Sequence, residues 1–235
     1  MSKKIKAISF ALAALLSGAL ALGGLLMKGG QTVSAQEEKE KQGVMITAVN
    51  QTAQSAAKSD VLIPTTINNF AYMRSLEIEV YNPCDRDMPF SLYLQDKLGK
   101  RTAGCYLGEE KDSVDFYTLR SHSGEEIEAV GYYNCVFVPA GFSGVIEMPL
   151  IFFRSIITFN YAQQPAVIFD YKSVESVVIS IDQYYNPTFS MQIGDVNIVT
   201  PKETITVRDG SKGAEGIVVQ DNQKDERIYT TVTEV

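Results

Sequence analysis

The chain has 235 residues, with 21 Lys or Arg, 28 Asp or Glu, one His, three Cys and no Trp, and its formal net charge is −7. This length allows one sizeable hydrophobic core or two small ones. An acidic surface repels the phosphate backbone of nucleic acids. A single His cannot form a His cluster for a metal ion, and the Cys residues lack the CxxC spacing that metal and redox sites use. We therefore expect no nucleic-acid partner and no zinc or thiol-redox centre.

The first 35 residues are predicted to be an export signal. Lys3, Lys4 and Lys6 form a positive segment, and residues 7–27 that follow carry no charge. Residues 33–35 provide a cleavage site for a signal peptidase, but the uncharged run is also long enough to span a bilayer of about 30 Å as an anchor helix. Both outcomes place the remaining chain outside the cytoplasm, at the cell surface or beyond it. The membrane is expected as a partner only through this segment.

Three further segments are predicted from composition. Residues 36–60 are rich in Gln, Ala, Ser, Thr and Lys and are expected to form a polar spacer, although residues 44–49 have the pattern of a short strand. Residues 61–199 are β-branched, aromatic and punctuated by turn residues, which indicates the folded domain. Residues 200–235 are expected to be a polar C-terminal extension, with strand-like pieces at 203–207 and 228–232.

Short runs of alternating apolar and polar residues recur through the predicted domain, with Gly, Asn and Pro turns between them. The clearest are residues 76–80, 90–94, 114–117, 177–181 and 189–193. Many short strands and almost no helical periodicity after the export signal predict an all-β, antiparallel β-sandwich preceded by the signal or anchor helix. Gly194 and Asp195 interrupt the last alternation, which predicts a β-bulge that leaves Ile193 and Val196 on one face.

Two runs resemble the galactose-binding-like jelly rolls of bacterial carbohydrate-binding modules. In residues 133–150 a strand leads into Pro139-Ala140-Gly141-Phe142-Ser143-Gly144, and the next strand ends in Pro149-Leu150. Residues 177–199 resemble the final strand pair of that fold. The resemblance covers residues 61–199 and implies a jelly roll that binds carbohydrate without catalysis at the cell surface. The same fold also carries adhesive and structural domains.

Strand alternation also predicts a binding face. The alternation is expected to turn one set of apolar residues toward the core, and the neighbours of these residues in the chain then point outward. The inward set is Leu92, Val114 or Phe116, Val136, Val138, Ile179 and Ile181. Those neighbours are Tyr93, Gln95, Tyr117, Tyr133 and Asp182. Aromatic rings stack on the apolar faces of sugars, and amides and carboxylates bind their hydroxyls, so a glycan or cell-surface polysaccharide is the expected ligand. Tyr is also an ordinary strand former, which leaves a structural or adhesive sandwich with a protein partner as the alternative.

Metal binding and catalysis receive less support from the residues. The resemblance implies that Asp195 lies where related jelly rolls hold a structural Ca²⁺, although Ca²⁺ takes six to eight oxygen ligands. We expect no other cofactor. Glu77 and Glu79 would share one face of a strand, but jelly-roll glucanases use a Glu-x-Asp-x-Glu pattern beside Trp, and this chain has neither. A non-catalytic protein is therefore predicted.

The three Cys residues are Cys84, Cys105 and Cys135. An odd number outside the cytoplasm allows one disulfide and one remaining thiol, and three reduced, buried thiols are equally consistent with the sequence. The spacing does not select among the pairings.

Overall fold

The computed structural model describes residues 42–52, 58–102, 115–131, 135–153, 169–182, 188–221 and 227–235. The predicted export signal or anchor helix, together with Cys105, Val114 and Tyr133, lies outside these ranges. Within them the only helices are two three-residue 3-10 turns, Leu150–Phe152 and Gly210–Lys212, so no described helix is long and apolar enough to cross a membrane.

The described residues form thirteen strands. They are β1 (Val44–Asn50), β2 (Lys58–Pro64), β3 (Ser75–Tyr81), β4 (Met88–Asp96), β5 (Asp115–Ser121), β6 (Glu126–Gly131), β7 (Cys135–Val138), β8 (Ser143–Pro149), β9 (Val174–Asp182), β10 (Thr188–Val199), β11 (Thr204–Arg208), β12 (Val218–Asp221) and β13 (Ile228–Glu234).

The strands form two antiparallel sheets. Sheet A has the order β13-β1-β10-β3-β8-β5-β6, with β11 also paired to β10. Sheet B has the order β12-β2-β9-β4-β7. Consecutive strands from β1 to β4 alternate between the sheets, as do β7 to β10. This arrangement confirms the predicted β-sandwich in the described part of the chain.

The core lies between the sheets and follows from the period-two pattern. In β4 the residues alternate between buried and half-buried, and Phe90, Leu92 and Leu94 are at most 2% exposed. The facing positions of sheet A include Ile46, Ile78 and similar β-branched residues, all without exposed surface. Burying one such side chain contributes about 1.5–3 kcal/mol, and the alternation therefore fixes which face of each strand turns inward.

The predicted bulge in β10 is confirmed. The pairing of β10 with β3 shifts register between Ile193 and Val196, and both of these residues are buried on the same side. A Cβ atom at Gly194 would lie 2.9 Å from Glu79 Oε2 and 3.2 Å from Glu79 Cβ, so a larger residue there would displace the Glu79 side chain. The Asp195 side chain turns toward the loop after β11, where its Oδ1 accepts a hydrogen bond from the Gly210 backbone nitrogen at 2.7 Å.

The sandwich extends beyond the predicted limits of residues 61 and 199. β1 lies inside the expected spacer yet pairs with both β10 and β13, while β12 and β13 lie inside the expected extension and pair with β2 and β1. The edge strands β12 and β13 are short and largely polar, and such strands resemble linkers in composition. Residues 38–235 form one compact unit that contains every described strand and core residue.

Candidate functional site

The outer face of sheet B carries a set of polar side chains on neighbouring strands. In β4, Ser91, Tyr93 and Gln95 alternate with the core residues and therefore point outward. The register places Ser91 opposite Ser180 of β9, and Ser180 opposite Asp60 of β2. Two apolar residues that also point outward, Leu62 and Val178, lie in the next row beside Tyr93 and are almost completely buried.

An arginine links the two sides of this face. Arg101 forms a bridge with Gln95 and donates from Nε to Gln95 Oε1 at 2.9 Å. Its Nη1 donates to Asp60 Oδ2 at 2.6 Å, with the two side chains 29% and 12% exposed. Because β9 separates β2 from β4, the guanidinium spans β9. Asp60, Gln95 and Arg101 are called the Arg101 network below.

The Arg101 network keeps unused hydrogen-bonding capacity. Among the described residues, Arg101 Nη2, the Gln95 amide nitrogen and Asp60 Oδ1 have no hydrogen-bond partner. Planar guanidinium and carboxylate groups present donors and acceptors in a fixed geometry once they are paired with each other. The network can therefore receive a ligand that offers several hydroxyl groups without first reorganising its own side chains.

Tyr93 lies beside the Arg101 network. Burial raises the pKa of the Tyr93 phenol, and the negative charge of Asp60 raises this pKa further. A hydrogen bond with Ser91 and the positive charge of Arg101 act in the opposite direction and lower the pKa. The phenol stays neutral at physiological pH and keeps its hydroxyl proton for donation. Burial likewise raises the pKa of the nearby Cys135 thiol to about 11, which leaves this thiol protonated and unreactive.

The structure places three of the five residues that were predicted to bind carbohydrate on one face. Tyr93 and Gln95 lie at the Arg101 network, and Asp182 lies on the same face near one end of β9, opposite Lys58 of β2. Tyr133 lies outside the described residues, so its predicted place on this face stays a prediction.

The predicted outward orientation of Tyr117 is wrong. Tyr117 belongs to β5 of sheet A, points into the core and is 2% exposed. Its ring packs edge-on against Phe152, with centroids 6.4 Å apart. Its hydroxyl accepts from the Phe137 backbone nitrogen at 2.8 Å and donates to the Phe137 carbonyl at 3.1 Å. These two bonds satisfy the phenol and allow a polar aromatic residue to be fully buried.

Sequence reasoning missed three residues of the outer face of sheet B. Asp60 was assigned to the spacer, and Arg101 was not assigned to any site. Phe137 points outward from β7 with 43% of its surface exposed, as the inward prediction for Val136 and Val138 already implied. The turn at residues 97–100 is the sequence signal that could have located Arg101. This turn closes a hairpin and brings Arg101 back beside Gln95.

The outer face of sheet A holds a second cluster of charges. Glu77 of β3 lies opposite Glu147 of β8. Arg120 approaches both, with its nitrogens 3.6 Å from Glu77 Oε1 and 2.5 Å from Glu147 Oε2. Glu79 shares this face, as the sequence predicts, and its Oε1 lies 3.2 Å from His122 Nε2. Each of these carboxylates thus has a cationic or ionisable partner, which is the usual arrangement for a solvated structural cluster.

Asp195 and the cysteines were also candidates for chemistry. No group of three or more His, Cys, Asp or Glu side chains in the described ranges is arranged to hold a metal ion. Asp195 instead binds the Gly210 backbone nitrogen, as described above. Cys84 and Cys135 are both half-buried free thiols, and Cys105 lies outside the described residues.

We expect Asp195 to act as a backbone acceptor. Asp195→Ala should lower the free energy of unfolding by about 1–2 kcal/mol because it leaves the Gly210 N–H unpaired, whereas Asp195→Asn keeps an acceptor oxygen and should cost less. Thermal unfolding with added Ca²⁺ or EDTA completes the test. A melting temperature that falls with EDTA in the parent protein, and no longer does so in Asp195→Ala, would assign a metal to this residue instead.

Comparison of the chain with models of protein families, with curated proteins and with solved structures finds no match.

Proposed function

We propose that this chain is an exported, non-catalytic carbohydrate-binding domain of the galactose-binding-like type, and that its binding surface is the outer face of sheet B. The Arg101 network is the observation that carries the proposal. It presents a guanidinium, an amide and a carboxylate in fixed positions across three strands, each with an unused hydrogen-bonding atom. Adjacent hydroxyl groups of a sugar ring are the ligand chemistry that such a set accepts best.

The strand order supports a jelly-roll interpretation of the sandwich. When the β5–β6 hairpin and the three C-terminal strands are set aside, eight strands remain. Their order is β1-β10-β3-β8 in sheet A and β2-β9-β4-β7 in sheet B. If these eight strands are renumbered from 1 to 8 along the chain, the two orders become 1-8-3-6 and 2-7-4-5. Two interleaved Greek keys of eight strands produce this order. Of the remaining strands, β13, the β5–β6 hairpin and β12 extend sheet edges, and β11 pairs with β10.

The expected affinity is modest. Stacking on one partly buried ring and a few net hydrogen bonds together give about 4 kcal/mol, which corresponds to millimolar binding of a single sugar unit. Tyr93 is the aromatic surface nearest to the Arg101 network. Several copies of the domain on one surface would bind a repeating cell-surface polysaccharide more tightly through multivalency, without any new contact.

A structural or adhesive sandwich that binds a protein partner is the second candidate. The position of Tyr117 favours it, because a buried Tyr117 removes one of the three rings on which sugar stacking was predicted. The exposed Phe137 beside this face would then serve as part of a protein contact, since aromatic residues are enriched in such interfaces.

We test the proposal with a glycan array and calorimetry on residues 38–235. Arg101→Ala should weaken binding of an array hit about tenfold, because it removes one donor to the ligand and releases Asp60 and Gln95 from their fixed positions. Tyr93→Ala should weaken it by a similar factor through loss of stacking.

Matched controls come from sheet A. Arg120→Ala also removes an arginine that pairs with carboxylates, and Tyr81→Ala removes an exposed ring, yet both lie on the opposite outer face and should leave affinity unchanged. If the folded domain binds no glycan on the array, or if Arg120→Ala weakens binding as much as Arg101→Ala, the carbohydrate proposal fails and the protein-binding candidate takes its place.

A further inference from the structure

Three large apolar side chains protrude from turns of the described chain. Tyr72 is 75% exposed in a turn closed by the Met73 N–H and the Phe70 carbonyl. Leu98 is 70% exposed at the tip of the hairpin after β4, and Ile151 is 60% exposed in the 3-10 turn after β8. Polar residues are the usual occupants of such tips, so three apolar residues at them require an explanation.

These turns lie at one end of the sandwich because backbone hydrogen bonds connect them in series. The Leu150 nitrogen donates to the Arg74 carbonyl at 2.7 Å, which joins the Ile151 turn to the Tyr72 turn. The Phe70 nitrogen donates to the Tyr171 carbonyl at 2.7 Å, and the Lys97 nitrogen donates to the Ser173 carbonyl at 2.9 Å. Residues 70–74, 97–100, 150–153 and 169–173 are called the loop end below.

The loop end is basic although the chain is acidic. Arg74, Lys97, Lys100 and Lys172 lie within it, against one exposed carboxylate, that of Asp170. None of these four cations has a carboxylate within ion-pair distance among the described residues. With a net charge of −7 for the whole chain, this is a local reversal of sign. The Asp170 carboxylate interacts electrostatically with Lys97 and Lys172, and the cations remain in excess over it. Exposed apolar tips among excess cations are typical of surfaces that bind anionic lipid headgroups.

We propose that the loop end binds the surface of an anionic lipid bilayer. Tyr72, Leu98 and Ile151 enter the boundary between headgroups and acyl chains, and the neighbouring lysines and arginine contact the lipid phosphates. A lipid surface fits better than a protein partner because the three apolar side chains stand on separate turns, whereas a protein interface has a contiguous, closely packed apolar centre. This contact uses neither the N-terminal apolar segment nor a residue of the Arg101 network, although the turn at residues 97–100 joins Gln95 to Arg101.

Vesicle cosedimentation of residues 38–235 tests the proposal without the N-terminal apolar segment. The protein should partition onto phosphatidylcholine vesicles that contain phosphatidylserine, more weakly onto phosphatidylcholine alone, and less as salt rises. The triple variant Tyr72→Ser, Leu98→Ser, Ile151→Ser should lose at least about tenfold in partition coefficient. Lys97→Gln and Lys172→Gln should lose about fivefold each.

Controls away from the loop end separate a local effect from a general one. Tyr229→Ser on β13 removes an exposed ring, and Lys212→Gln removes an exposed cation, and both variants should partition like the parent. Thermal unfolding verifies that each variant is folded. If the triple variant is unstable, the two lysine variants provide the test, because they alter only exposed side chains. The proposal is overturned if the folded parent ignores anionic vesicles, or if the loop-end variants partition as the parent does. Concentration-dependent self-association that requires the same three apolar residues, without vesicle binding, would assign the loop end to protein docking.

Discussion

Asn82→Ala is expected to lower the free energy of unfolding by about 3 kcal/mol or more. Asn82 follows β3, has no exposed surface, and holds its amide nitrogen 2.9–3.0 Å from the carbonyl oxygens of Arg86, Val138 and Pro139. Its Oδ1 accepts from the Cys84 nitrogen at 3.0 Å. The variant removes all four contacts and leaves buried backbone groups unpaired, each at a cost of about 1–3 kcal/mol that local relaxation only partly recovers.

Chemical denaturation of Asn82→Ala and of a matched control measures this effect. Asn69→Ala removes an exposed asparagine with one local hydrogen bond, to the Ala71 nitrogen at 3.1 Å, and should cost less than about 1 kcal/mol. Equal losses for the two variants would contradict the role of Asn82 as the connection between the loop after β3 and the end of β7.

Tyr117→Ala should be the most damaging single aromatic substitution, with a loss of about 3–5 kcal/mol in the free energy of unfolding. It opens a cavity beside Phe152 and removes the hydroxyl that pairs with both backbone groups of Phe137. Denaturant titration followed by circular dichroism measures the loss, and the midpoint should fall without a large change in slope.

Two further variants separate the contributions to the Tyr117 effect. Tyr117→Phe retains the ring but leaves the Phe137 N–H and carbonyl unpaired, so a loss of about 1–3 kcal/mol is expected. Tyr72→Ala removes a ring that is 75% exposed and should change stability by no more than about 0.5 kcal/mol. If Tyr117→Ala proved as mild as Tyr72→Ala, Tyr117 would have to lie at the surface in solution.

The sequence was sufficient for features that depend on local alternation. A period of two predicts the strands over residues 76–80, 90–94, 177–181 and 189–193, because one face of each strand must be buried. The same period predicts the bulge at Gly194 and the outward positions of Tyr93 and Gln95. Tyr117 shows where this argument fails. In the sequence, residues 114 and 116 form one apolar series and residues 117 and 119 form another, and hydrophobicity alone does not choose between them. The choice depends on Phe137, in another strand, whose backbone satisfies the Tyr117 hydroxyl.

The Arg101 network could not have been predicted for a similar reason. Asp60 and Arg101 are 41 residues apart, and they meet only because β9 inserts between β2 and β4. Strand order is set by the packing of the whole domain, which no local pattern encodes. The composition of the edge strands β12 and β13 is equally uninformative, since solvent-exposed strands carry the polar residues of linkers.

The adjacency of β1 and β13 determines how the sandwich responds to force. These two strands are antiparallel neighbours, and Val235 at the end of β13 donates from its backbone nitrogen to the Gly43 carbonyl just before β1. Tension applied between segments attached at these two points would open the β1–β13 ladder from one end, breaking its hydrogen bonds in succession rather than all together. Such unzipping resists little load. Pulling from these two points is therefore expected to unfold the described sandwich from this edge at low force.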